Sequence, residues 1–193
     1  MERFFHYVDA VTAFALCALL SVFEALPAEA SRQGPVITID VSTNQAFFFH
    51  DGELVRRSSA ATGSDKVLRH RGSVWWFRTP RGRLTIVRKI KDPIWHKPDW
   101  AFIEEGERVP PADSPLRLVK GKMGKYALDL GGGVMIHGTD DPKSIGQRAS
   151  HGCIRLPHAM LKALWDEVDV GTEVFIFESV PSEATKGLND LDM

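Results

Sequence analysis

The chain has 193 residues, 44% of them hydrophobic and 25% charged, with a formal net charge of −1. That length suits one ordinary domain with a real core, and a charge so close to zero gives no footing for a nucleic-acid partner. There are two cysteines, Cys17 and Cys153, too few for a disulfide framework.

The first element in chain order is an apolar run from Ala10 to Phe23, followed by Leu26-Pro27-Ala28-Glu29-Ala30. The run is short for a bilayer span, and the Ala28-x-Ala30 pattern is what a signal peptidase reads. Residues 1–30 are therefore expected to be a signal peptide cleaved after Ala30, with an uncleaved membrane anchor as the alternative, since Arg3 is the only basic residue of the segment. Cleavage removes Cys17, together with Arg3 and the acids Glu2, Asp9, Glu24 and Glu29, and moves the formal charge from −1 to about +2. Cys153 is then a lone thiol in an exported protein, either a bystander or a reagent.

From residue 31 the pattern is mainly β. Val36–Val41 alternates apolar and polar side chains, Ser42–Gln45 supplies a turn, and Ala46–His50 is aromatic-rich. Asp51-Gly52 is a hairpin signal before Glu53–Val55, so this part reads as a local antiparallel meander. Val74–Phe77 and Leu84–Val87 read as further strands, the second introduced by Thr79-Pro80-Arg81-Gly82. Between Arg56 and Lys91 basic residues crowd against one acid, Asp65, whereas 92–113 leans acidic through Asp99, Glu104, Glu105 and Glu107. Two solvated faces that offset each other explain this; so does a basic surface for an anionic polymer of the cell envelope.

Asp92–Ser114 carries four prolines and no sustained periodicity, yet Trp95, Trp100 and Phe102 favour a folded flap. Tyr126–Leu130 and Val134–Ile136 read as strands around Gly131-Gly132-Gly133. Met160, Leu161, Leu164, Trp165 and Val168 follow helical spacing after Pro157, Gly171 stops the run, and Val174–Phe177 closes as a strand. The residues from 179 to 193 read as a polar tail. The expected fold is a mainly β domain, most simply a sandwich, with one principal helix, spanning residues 31–178.

The chemistry gathers at Ser150-His151-Gly152-Cys153-Ile154-Arg155. A thiol becomes a useful nucleophile when a base or positive charge is near, and His137, His151 and Arg155 are candidates. His137 follows the strand Val134–Ile136, a rigid place for a base; His151 lies two residues from the thiol, and spacing alone does not choose between them. Gly152 permits the sharp turn that lets the amides of His151, Gly152 and Cys153 converge on an oxyanion. Arg155 suits a substrate carboxylate, or else a structural ion pair. A metal set of His137, His151 and Cys153 lacks a fourth ligand at a usual spacing, and a redox role lacks a resolving cysteine.

His137-Gly138-Thr139 followed by Ser150–Arg155, with Asp140–Gly146 between, resembles the signature of the L,D-transpeptidase catalytic domain, also called the YkuD domain, and the similarity runs from about Val36 to Phe177. The resemblance implies a β-sandwich-like fold whose cleft is partly covered by a flap. Cys153 would be the nucleophile and His137 the base, oriented by the carbonyl of Gly138. The amides of His151, Gly152 and Cys153 would form the oxyanion hole, with Ser150, Thr139 and Arg155 contacting substrate. The implied reaction breaks the bond between the L-centre of diaminopimelate and D-alanine in a peptidoglycan stem, forms a thioester, and passes the acyl group to an amine. That amine belongs to a second stem or to an envelope protein; water as acceptor would make a carboxypeptidase, and a wall-binding domain without catalysis is the remaining alternative. No metal or organic cofactor is implied, and a monomer exported to the periplasm or cell envelope is expected. The sequence departs from the family pattern in the longer segment between Thr62-Gly63 and Thr79-Pro80-Arg81-Gly82, with His70, Arg71, Trp75 and Trp76, and in Arg117, where glycine is common. Both departures are expected to alter the substrate cleft.

Overall fold

The structure is a computed structural model that describes residues 34–179. The expected leader over 1–30 and the tail beyond Ser179 lie outside the described residues.

Strands β1 (Pro35–Asp40), β2 (Gln45–His50) and β3 (Glu53–Ser59) form the expected meander. In β1, Ile37 and Ile39 are buried while Val36 and Thr38 are only partly so, the period-2 pattern of a strand with one face in a core. The hairpin between β2 and β3 turns at Asp51 (φ 52°) and Gly52 (φ 83°), both left-handed as a two-residue loop of this kind requires. The meander ends there. The closing strand β15 (Glu173–Phe177) returns parallel to β1, and β7 (Gly82–Thr85) pairs with its other edge, giving the order β3-β2-β1-β15-β7.

A second sheet has the order β14-β12-β11-β8, from Ile154–Arg155, Met135–His137, Tyr126–Asp129 and Arg88–Lys91. Its strands β12 and β14 are parallel, so the fold is mixed rather than a simple antiparallel meander throughout. Inward side chains of both sheets share one core, including Ile37, Phe48, Leu128, Ile136, Ile154 and Ile176. The principal helix, α2 (His158–Glu167), adds Met160, Leu161 and Leu164 to it. Lys89 of β8 caps that helix: its Nζ donates to the carbonyls of Trp165 and Val168 at 2.8 and 2.6 Å, a cation at a helix C-terminus. Among the described residues no helix is long and apolar enough to cross a membrane.

The flap is folded, as its aromatic residues require. It contains β9 (Ile94–His96), the short helix α1 (Asp99–Glu104) and β10 (Leu118–Lys120), with β9 and β10 paired. Arg117 ties it together. Its guanidinium is buried and donates to the carbonyls of Lys97, Pro110 and Pro111 and to Asp99 Oδ1 at 2.6 Å. Contrary to the expectation of an altered cleft, this residue holds the flap's interior and does not line the cavity. The longer segment after Gly63 is a hairpin of β5 (Val67–His70) and β6 (Ser73–Trp76). Short strands β4 (Thr62–Gly63) and β13 (Arg148–Ser150) pair in parallel beside it.

Candidate active site

Strand alternation builds the site. Ile136 pairs with Ile154 and His137 with Arg155 across the parallel β12–β14 ladder. Ile136 and Ile154 are fully buried in the core, so Met135, His137, Cys153 and Arg155 project from the opposite face. All four line one cavity of about 680 Å³, within the size range of ligand sites. The flap supplies its other wall through Trp95, Trp100 and Glu104.

The turn that delivers Cys153 is locked from two sides. Gly152 has φ 130°, and a side chain there would press on the Arg78 carbonyl at 3.2 Å, so glycine is needed on both counts. Buried Thr79 accepts from the Gly63 amide at 2.8 Å and donates to the Gly152 carbonyl at 2.9 Å. A Cβ on Gly63 would lie 2.5 Å from the Thr79 nitrogen, which makes that close approach a glycine property. From within, Ser150 Oγ donates to the Cys153 carbonyl at 2.5 Å and accepts from the Gly152 amide at 3.1 Å.

These bonds change two expectations. Ser150 lines the cavity, but its hydroxyl is committed inside the turn rather than left for substrate. The Gly152 amide is likewise engaged, while those of His151 and Cys153 meet no backbone or side-chain acceptor among the described residues. Thr139 does not line the cavity; its hydroxyl closes a local turn by accepting from the Asp141 amide at 2.9 Å.

His137 is buried, and its Nδ1 lies 2.5 Å from the Gly138 carbonyl. A carbonyl only accepts, so Nδ1 carries the proton and Nε2 keeps its lone pair. Burial pushes the imidazole pKa from 6.5 down to about 4, with the Gly138 carbonyl opposing and Arg155 assisting. Gly138 holds its place by close packing: an added Cβ would meet the Met123 carbonyl at 3.1 Å and Gly124 Cα at 3.2 Å. The half-buried Cys153 thiol donates to the Gly133 carbonyl at 3.7 Å. Burial pushes its pKa up, against a hydrogen bond from the Met135 backbone and the charge of Arg155. At rest, then, both groups are neutral.

His151 is engaged elsewhere. Its Nε2 lies 2.6 Å from Glu104 Oε2, its ring stacks on Trp100 at 4.0 Å and 17°, and Phe77 meets it edge-on at 4.4 Å. Burial moves its pKa down, with Glu104 opposing. The ring thus clasps helix α1 to the turn that carries the thiol. Sequence reasoning placed Trp100 in the flap but gave no role to Glu104 or Thr79, whose partners are 47 and 73 residues away. Arg155 donates to Ser144 Oγ at 3.3 Å and forms no ion pair among the described residues, so its charge is available to a substrate anion. No group of three or more His, Cys, Asp or Glu able to hold a metal occurs among the described residues.

Comparison with known proteins gives one consistent result. A family model described as the L,D-transpeptidase catalytic domain matches residues 34–176. A probable L,D-transpeptidase, YbiS of Escherichia coli strain K12, is 51% identical over 104 residues, 49% of this chain and 32% of that protein. The probable L,D-transpeptidase ErfK/SrfK of Salmonella typhimurium is 38% identical over 109 residues, covering 52% of this chain and 33% of that protein. The matched stretch is thus about a third of the length of these relatives. Among solved structures, an L,D-transpeptidase from Xylanimonas cellulosilytica superposes with a TM-score of 0.56 at 26% identity over 88% of this chain and 71% of that one. One from Mycobacterium smegmatis gives 0.55 at 25% identity over 74% and 58%.

Proposed function

The chain belongs to the L,D-transpeptidase catalytic-domain family, and from that premise we propose that it is a cysteine acyltransferase acting on peptidoglycan stem tetrapeptides in the periplasm or cell envelope. Cys153 Sγ attacks the carbonyl of the diaminopimelate L-centre while His137 Nε2 takes the thiol proton. The oxyanion that forms is met by the amides of Cys153 and His151, with Gly152 held by Ser150. Collapse breaks the C–N bond; the imidazolium returns its proton to the departing D-alanine nitrogen, and a thioester remains on Cys153. An incoming amine attacks the thioester, His137 removes its proton, and a new amide leaves with the thiol restored. Arg155 orients a stem carboxylate, and Gly138 holds the imidazole tautomer. The acceptor is the amine of a second stem, giving a 3–3 cross-link, or that of an envelope protein.

The observation that carries this reading is the β12–β14 register, which sets His137, Arg155 and Cys153 on one face of the sheet above a single cavity. The test is mass spectrometry of products from a disaccharide-tetrapeptide. Loss of D-alanine with formation of cross-linked dimer, absent in Cys153→Ala, is expected; tripeptide alone in the presence of an amine acceptor would make the protein a carboxypeptidase. His137→Ala should slow acylation by about 10²–10⁴-fold, far more than His151→Ala, and the reverse ranking would mean that the base is misassigned.

A further inference from the structure

The basic stretch from Arg56 to Lys91 divides into two populations. Arg56, Arg81, Arg83 and Arg88 each hold a carboxylate, from Glu167, Glu178, Glu173 and Asp129. Lys66, Arg69, Arg71 and Arg78, all on or beside the β5–β6 hairpin, hold none among the described residues, and the one acid there, Asp65, is taken by Arg148 at 2.6 Å. Arg57 on β3 and Lys91 on β8 also hold no carboxylate among the described residues, but four of the six such cations in this stretch lie at the hairpin.

The same hairpin presents an apolar face. Val67 pairs with Trp76 and Arg69 with Val74 across the ladder, so these four side chains share a face. Val67, Val74 and Trp76 are 48%, 55% and 59% exposed, whereas Leu68 and Trp75 on the opposite face are half-buried. An exposed indole beside two valines and a guanidinium marks a contact surface rather than a scattered apolar residue. This face runs into the cavity described above: Arg78 lies 5.1 Å over the Trp76 ring and also lines the cavity that holds Cys153.

We propose that the β5–β6 hairpin is a docking arm for a second peptidoglycan strand, with sugar rings laid on Trp76, Val67 and Val74 and stem carboxylates paired with Arg69 and Arg78. The inference rests on the transpeptidase reading and extends it from the bond broken to the polymer that receives the acyl group. The apolar ring faces of a glycan suit a flat indole, and the carboxylates of its stems suit cations that have no internal partner. Continuity through Arg78 puts such a strand next to the thioester, where its amine is needed.

The experiment is co-sedimentation of the full chain with purified sacculi, in the Cys153→Ala background so that the polymer stays unaltered. Trp76→Ala should weaken binding about tenfold. Raising salt from about 0.05 to about 0.5 M should weaken the parent protein strongly and Arg69→Glu much less, because the charged contact is already lost. Both substitutions sit on exposed positions, and circular dichroism checks that the fold is kept. Sacculus binding equal to the parent in both variants overturns the proposal. So does Trp76-dependent binding to phosphatidylglycerol vesicles without binding to sacculi, which would assign the face to a membrane. D-Alanine release from a soluble donor by the Cys153 protein is read separately: a protein that binds sacculi through Trp76 but releases none refutes the transpeptidase reading, and with it the acceptor role of the hairpin, while leaving the hairpin as a sacculus-binding face.

Discussion

Thr79→Val isolates the lock on the turn that carries Cys153. Valine matches threonine in volume and branching, so no cavity forms, and only the hydroxyl is lost. That hydroxyl is buried, accepts from the Gly63 amide at 2.8 Å and donates to the Gly152 carbonyl at 2.9 Å. Both partners remain in place behind a methyl group, without water to replace the oxygen. An unsatisfied buried backbone group costs about 1–3 kcal/mol, so two of them should remove roughly 2–6 kcal/mol from the folding free energy. For a domain of this size that is a fall in Tm of about 5–15 °C. Thr79→Ser keeps the oxygen and should lose far less. Calorimetric or urea unfolding of the three proteins measures stability, and thioester formation with a donor measures acylation. Acylation should fall in the valine variant even where folding is complete, since the carbonyl it releases belongs to the residue before Cys153. A valine variant within about 0.5 kcal/mol of wild type, which is the ordinary range for inconsequential surface changes, would refute the argument.

The folded pKa of His137, about 4 against 6.5 for the free imidazole, makes stability pH-dependent with a definite sign. Between these values the unfolded chain binds a proton that the folded one refuses, so stability falls as pH drops through that window, by about 3 kcal/mol in all; urea unfolding at several pH values should show a larger loss in the wild type than in His137→Gln, which keeps only the smaller contribution of His151. The acid limb of kcat/KM should lie below 6.5 for the same reason, and a limb at or above that value would contradict a buried neutral base. Glu104→Gln removes the charged acceptor of His151 and loosens the flap, so KM should rise about three- to tenfold with kcat nearly unchanged; a loss in kcat matching that of His137→Ala would place His151 in the chemistry. Arg155→Met removes a charge that lowers the pKa of both His137 and Cys153, so titration of the His137 ring by NMR should move upward and alkylation of the thiol at a fixed alkaline pH should slow.

The parts of this protein legible in its sequence are those set by neighbours in the chain. Alternation gave away β1 and aromatic richness β2, Asp51-Gly52 marked the turn from β2 into β3, and the spacing of Met160, Leu161 and Leu164 announced the helix. His137 and Cys153, each in a short, specific run of the sequence, line the same cavity. What escaped depends on partners far along the chain. Sequence reasoning assigned no element to Arg88–Lys91, yet it is strand β8, with Asp129 neutralising Arg88 and the carbonyl end of α2 receiving Lys89. The family resemblance put Thr139 and Ser150 at the substrate, whereas their hydroxyls are engaged in local turns. Arg117 looked like a change to the cleft, and only the folded flap reveals three carbonyls and a carboxylate around its guanidinium.

The electrostatics of the site divide the work between protein and substrate. Burial raises the thiol and lowers the imidazole, so proton transfer from Cys153 to His137 is unfavourable in the empty cleft. A protonated thiol is a poor target for oxidants, which would suit Cys153 in the oxidising compartment proposed above. On the proposed mechanism, the same two shifts mean that the thiolate would be generated during attack rather than beforehand. Proton transfer becomes favourable only as charge moves onto the substrate oxygen and is met by the amides beside Cys153. Arg155 strengthens this coupling because it stands next to His137 in the strand register. Unpaired, it keeps the imidazolium unfavourable; with a substrate carboxylate upon it, that penalty falls and His137 becomes a stronger base. In the proposed reaction, binding of the donor and activation of the base would therefore be linked through one guanidinium, and the site would stay chemically quiet until a stem is seated.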